Sequence, residues 1–251
     1  MLLNIENIFS ALLGIERRIV GVKLFTEKKS YESFFAPEAK APLYYCALVK
    51  MATKGKKRKA NLEKFCCTAA ARNLGLLKDK DIDEIAMEYW QLGTYKDFPT
   101  AQKVIVNTPK ISEKIYGVGV LPLGEFEDAP DVVIAIVKPY QAMRLIQAYR
   151  YFSGEDLSLK MTGMHGICAE STAWPYLTGK LNVSLLCSGT RFIAKWDDTE
   201  LAVSFSGKLL LNMLEGLQKT LNPCETDAKK QEILRRSEYS FDITFKSSYF
   251  Y

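Results

Sequence analysis

Long apolar runs are missing from this sequence. Its longest aliphatic run, Val132–Val137, has six residues, whereas a bilayer-spanning helix needs about 20. The start, Met1-Leu2-Leu3-Asn4-Ile5-Glu6, lacks the basic opening of a secretory signal, and Asn4, Glu6 and Asn7 interrupt any apolar core. The expected location is therefore the cytoplasm, with no membrane contact. Thiols stay reduced there, so the six cysteines are expected as free thiols or metal ligands. None of them forms a CxxC pair, which removes the local signatures of zinc and ferredoxin-type sites. There is one histidine, so any imidazole chemistry must use His165. No phosphate-binding glycine loop is present either, because Gly117-Val-Gly119 sits in a strand-like run without the rest of the dinucleotide fingerprint.

The net charge of +5 is local. Residues 50–64 hold Lys50, Lys54, Lys56, Lys57, Arg58, Lys59 and Lys64 against Glu63 alone, so the rest of the chain is nearly neutral. That loop lacks the interleaved aromatics that stack on bases, so a nucleic-acid partner is not expected. What the chain does have is a 48% apolar, 25% charged composition over 251 residues, enough to bury a real core.

Periodicity places a helix over residues 2–13 with Gly14 as its stop, and a strand over 19–25. Residues 30–42 read as a loop. Residues 43–52 read as a helix carrying Cys46. A further helix is predicted over 62–75, capped by Asn61, with Cys66 and Cys67 on its first turns. The spacing also predicts a helix over 81–91 and strands over 116–121 and 131–137. The second of these strands is aliphatic enough to be central and buried on both faces. Pro139 opens a helix to residue 152. A short helix (171–177), two short strands (183–186, 201–205) and a helix (207–221) follow. After a charged stretch, the alternation at 239–245 predicts an edge strand. The fold class is α+β, or mixed α/β. One domain over residues 1–222 has a central mixed sheet flanked by helices, and residues 223–251 form a charged C-terminal extension.

Several blocks together resemble a known family. They are Val22-Lys-Leu-Phe25, Cys46, Cys67 with Leu74-Gly75, and Asp131-Val-Val with Gln141-Ala-Met-Arg-Leu-Ile-Gln-Ala148. Cys168-Ala-Glu-Ser-Thr-Ala173, the block at 175–184 and Cys187-Ser-Gly-Thr-Arg191 complete the set. In order and spacing they resemble the family called domain of unknown function 169, archaeal cysteine-rich proteins, over residues 19–221. The resemblance implies an anaerobic habitat and a set of suspect cysteines, not a reaction. Two departures stand out. Thr68 and Ala69 follow the helix cysteine where the family often has glycine, and Ser188-Gly-Thr-Arg191 stands where a second cysteine often follows.

Three functions are carried forward. In the first, Cys46, Cys67, Cys168 and Cys187 gather to hold an iron–sulfur cluster or other thiolate-bound metal, with His165 and Arg191 nearby. Soft thiolates suit such groups whatever their sequence separation. Each cysteine taken alone also reads as a small buried hydrophobe, and of adjacent Cys66 and Cys67 only one can face a shared site. In the second, Arg144 and Arg191 bind a small anionic ligand. In the third, Cys168 is the nucleophile of a thiol enzyme, His165 its base and Glu170 the group that orients the histidine. A redox partner and a homo-oligomer remain open.

Overall fold

The computed structural model describes residues 1–78 and 81–238. Its centre is a six-stranded sheet of β1 (Val20–Phe25), β2 (Arg58–Asn61), β3 (Gly117–Pro122), β4 (Val132–Val137), β5 (Leu181–Ser184) and β6 (Leu201–Ser206), in the order β2-β3-β1-β4-β6-β5. Every pairing between these strands is antiparallel. The fold is α+β, and the mixed sheet expected from the sequence is an antiparallel one.

Around the sheet run α1 (Leu2–Leu13), α2 (Lys28–Ser33), α3 (Tyr45–Ala52), α4 (Thr68–Asn73), α5 (Ile82–Gln91), α6 (Phe98–Asn107) and α7 (Pro139–Ser153). They are followed by α8 (Trp174–Thr178), α9 (Ser188–Ala194), α10 (Leu210–Lys219), α11 (Leu221–Cys224) and α12 (Asp227–Glu238). Gly14 and Gly154 end α1 and α7 at φ of 65° and 64°, the left-handed geometry that glycine adopts without a Cβ penalty. Among the described residues no helix is long and apolar enough to cross a membrane.

β4 lies between β1 and β6 and sorts the core into two layers. Val133, Ala135 and Val137 join the apolar faces of α1, α7 and α10 on one side. Val132, Ile134 and Ile136 join α3, α4 and the segment around Cys168 on the other. This alternation is the period-two consequence of a pleated strand covered on both faces. Beyond α10, α12 returns to α1, where Ile233 enters the first core layer and Arg236 Nε donates to the Ala11 carbonyl at 3.3 Å.

Several segments depart from the sequence reading, among them α2, which takes up the start of the stretch read as a loop. The helix predicted over 62–75 begins only at Thr68. Leu62–Lys64 form a separate 3-10 turn, and the amide of Leu43 donates to the Lys64 carbonyl at 2.9 Å and that of Cys66 to the Leu43 carbonyl at 3.2 Å, which holds Phe65 extended between that turn and α4. Part of the basic loop is strand β2, anchored by Lys59, whose ammonium donates to the carbonyls of Tyr31, Glu32 and Phe34 at 2.7, 2.9 and 2.8 Å. Helix α6 was not foreseen, although Asp97 caps it by accepting from the Thr100 amide at 2.9 Å. The edge strand expected over 239–245 lies outside the described residues.

Candidate functional site

Burial and capping bring four cysteines to one cavity in the second core layer. Cys46 sits in the first turn of α3. Cys67 is the residue that caps α4, its Sγ accepting from the Ala70 amide at 3.4 Å. Cys187 caps α9 in the same way, accepting from the Thr190 amide at 3.5 Å. Cys168 lies in a π-helix, Gly166–Ala173, a wide-turn geometry found often at functional sites. With His165 these four line a cavity of about 240 Å³. The Cys67 cap corrects the sequence reading, which put that residue on a helical turn, and α9 was not foreseen.

The backbone there is held tightly. His165 and Leu186 both have positive φ, 58° and 66°, which non-glycine residues seldom adopt. Between them runs a close approach at Gly166, where a Cβ would stand 2.9 Å from the Cys187 amide nitrogen. The π-helix is braced by Tyr45, whose hydroxyl shares a 3.0 Å hydrogen bond with that of Thr172. Thr172 in turn donates to the Ile167 carbonyl at 2.8 Å. Glu170, buried on the same turn, accepts from the Thr162 amide at 2.6 Å and hydroxyl at 2.7 Å, and from the Ser184 hydroxyl. Those bonds tie the π-helix to β5. The sequence reading had given Glu170 the task of orienting His165, but its hydrogen bonds go to Thr162 and Ser184 instead.

Burial controls the protonation of the cavity wall. It pushes the Cys168 thiol well above its usual range, with Cys67 and Cys187 adding to the rise and the Asn73 carboxamide, which donates to Cys168 Sγ at 3.4 Å, opposing it. It pushes Cys46 up to about 11 and His165 down to about 4. Cys168 Sγ donates to the His165 carbonyl at 3.7 Å. The imidazole Nε2 pairs with the Tyr89 hydroxyl at 3.2 Å, and burial raises that phenol to about 12. At pH 7 Cys168 is thus a neutral thiol beside a neutral His165 imidazole, not a thiolate–imidazolium pair. Among the described residues no three His, Cys, Asp or Glu side chains stand close enough together to hold a single metal ion.

The two arginines lie elsewhere. Arg144, fully buried, donates to the carbonyls of Leu217 at 2.9 Å and Thr220 at 3.2 Å, and its Nε stands 3.3 Å from Glu225 Oε1. It clamps α7 to α10 and α11. Arg191 donates to the carbonyls of Asp197 and Leu185, each at 2.7 Å, and of Glu200 at 2.9 Å, closing the turn after α9. Neither lines the cavity.

Comparison with known proteins agrees with the sequence blocks that carry these cysteines. The profile of the DUF169 family, described as uncharacterised ArCR, matches residues 8–216. The chain belongs to the DUF169 family. A relative named uncharacterized protein MJ0308, from Methanocaldococcus jannaschii, is 29% identical over 214 residues, which is 82% of this chain and 89% of that protein. No solved structure matches. Within this DUF169 chain, three side chains at the site had no signal in the sequence. Tyr45 and Tyr89 lie on helices where an aromatic is ordinarily core, and Asn73 is one polar residue in an alanine-rich turn. Their roles follow from what faces them across the cavity wall.

Proposed function

We propose that this DUF169 chain binds a polynuclear thiolate-ligated group, an iron–sulfur cluster, in the cavity lined by Cys46, Cys67, Cys168 and Cys187. The observation that carries the reading is convergence. Four of the six cysteines, supplied by four separate segments, line one cavity of about 240 Å³. A single zinc-like ion needs its sulfurs about 2.3 Å from one point, and the thiols here surround a volume instead. A cluster carries its irons at its corners and takes one thiolate at each, which matches ligands spread around a space. Three of the sulfurs, those of Cys67, Cys168 and Cys187, already accept N–H hydrogen bonds. Such donors favour the ionised sulfur and tune the potential of a bound cluster. On this reading the chain works in the reducing cytoplasm with a redox partner.

Binding must release the thiol protons that burial retains, so cluster occupancy should fall as pH is lowered. The test is anaerobic purification with iron and acid-labile sulfide analysis, visible absorption and electron paramagnetic resonance. Stoichiometric iron and sulfide, lost in Cys168→Ser and Cys187→Ser, is the expected result. A colourless, well-folded protein that takes up neither iron nor sulfide on anaerobic reconstitution would overturn the reading.

A further inference from the structure

Residues 82–107 stand apart from the rest of the fold. α5 and α6, 10 residues each, pack chiefly on one another around Ile85, Ala86, Ala101 and Ile105. Near the turn the rings of Trp90 and Phe98 lie 6.2 Å apart, and near the open end Gln102 Nε2 donates to Asp83 Oδ1 at 2.7 Å, so the two helices form one unit. Among the described residues, no side chain of either helix enters the two layers of the main core. The base of this hairpin is pinned. The Ile111 amide donates to the Asn73 carbonyl and the Ile115 amide to the Gly75 carbonyl, each at 2.9 Å.

The seam between the hairpin and the body runs along the thiol cavity, and two tyrosines cross it. Tyr89 lines the cavity and pairs with His165 at 3.2 Å. The Tyr95 hydroxyl donates to Met164 Sδ at 3.2 Å. Met164 and His165 line the cavity too and lead into the π-helix that carries Cys168. Towards α4 the seam is imperfectly filled, with a void of about 30 Å³ between Ala69 and Asn73 on one side and Ile85 and Ile105 on the other. Helices of this length are marginal by themselves in water, and elements with little apolar burial against the body are those that open locally.

We propose that the α5–α6 hairpin is a lid on the thiol cavity, which swings away as a unit about its pinned base when the Tyr89–His165 and Tyr95–Met164 contacts part. Cys46, Cys67, Cys168 and Cys187 come from four separate segments and surround the space they line, so a group they hold enters or leaves most readily past a wall that carries none of them. Residues 82–107 contain no cysteine, and moving them leaves the four thiols where they are. That the entering group is a cluster rests on the reading above; the motion does not.

The test uses the full chain, reduced and metal-free. Hydrogen exchange read by mass spectrometry compares residues 82–107 with β4, while iodoacetamide labelling of Cys168 is followed in parallel. The expected result is that α5 and α6 exchange together and faster than β4. Tyr89→Phe combined with Tyr95→Phe keeps both rings and removes both hydroxyls. It should speed exchange over 82–107 and labelling of Cys168 by a common factor, roughly fivefold for each hydroxyl, which is one net hydrogen bond. Exchange of β4 and labelling of the exposed Cys66 should stay as they were. Exchange of α5 and α6 only at the β4 rate would overturn the proposal. So would a hairpin that loosens in the double variant while labelling of Cys168 does not change. If the double variant does not fold, the unaltered chain decides through the urea dependence of Cys168 labelling. A slope matching that of exchange over 82–107 is expected, and the slope of global unfolding, or none at all, would overturn the lid. Neither iron nor sulfide enters these measurements, so their failure leaves the cluster reading untouched.

Discussion

A Cβ added at Gly166 would stand 2.8 Å from the Cα of Leu186. That backbone-on-backbone approach couples the start of the π-helix to the residue before Cys187, and so sets how far Cys168 lies from Cys187. Neither partner is the end of a flexible side chain, so a methyl group there can be accommodated only by moving the main chain. Gly166→Ala should therefore lower stability by about 1–3 kcal/mol, the usual range for overpacking a tight core. Denaturant unfolding would measure the loss, and an unchanged midpoint would show that the approach is loose.

Thiol reactivity should follow burial. Cys66 and Cys224 are exposed, while Cys168 is buried and its thiol is pushed up. At pH 7.5 iodoacetamide should label Cys66 and Cys224 first and Cys168 last, as read by peptide mass spectrometry, because the thiolate is the reacting species. Asn73→Ala removes an N–H donor that opposes the rise at Cys168, so it should slow labelling there further. Faster labelling of Cys168 than of Cys66 would contradict the burial described above.

The histidine gives a pH dependence of known sign. Burial depresses His165 from 6.5 to about 4, so the unfolded chain binds its proton more readily than the folded one. This contribution is complete above pH 6.5 and is lost as pH falls from there towards 4. Two to three pH units correspond to about 3 kcal/mol. His165→Gln should flatten the stability profile between pH 6.5 and 4, and the folded chain's imidazole should titrate near pH 4 by NMR. A midpoint near 6.5 would mean that the ring is solvated.

Arg144 should behave as a structural residue. Replacing it with methionine would leave the Leu217 and Thr220 carbonyls without their donor and the Glu225 carboxylate without its nearby guanidinium. The expected cost is about 3–5 kcal/mol, typical of breaking a buried pair from one side. Metal uptake per folded molecule should not change, since Arg144 does not line the cavity. A milder loss, together with failure to take up iron, would point to a role at the site.

Local energetics made a good part of the fold legible in the sequence. α1 and α7 end where glycine offers a left-handed turn, and β4 was identified as central from its unbroken aliphatic run, as its pairing with β1 and β6 bears out. Residues 62–66 were misread because their pairing partner, Leu43, lies some 20 positions away, and no local pattern shows that bond. The π-helix was missed for a similar reason. Its turns are stabilised by Tyr45 and Ser184 from other elements rather than by intrinsic preference.

The sequence by itself determined that imidazole chemistry has one address, that the cysteines are scattered without a local motif, and that the chain resembles DUF169. Composition and residue spacing are enough for the first two statements, and the resemblance rests on the order of the sequence blocks around the cysteines. Only the tertiary structure decided that Cys46, Cys67, Cys168 and Cys187 share a cavity, that Arg144 and Arg191 are occupied by carbonyls, and that Glu170 bonds to Thr162 and Ser184. Those outcomes depend on which helix ends the antiparallel sheet brings together, and on burial that the chain acquires only when both core layers have closed.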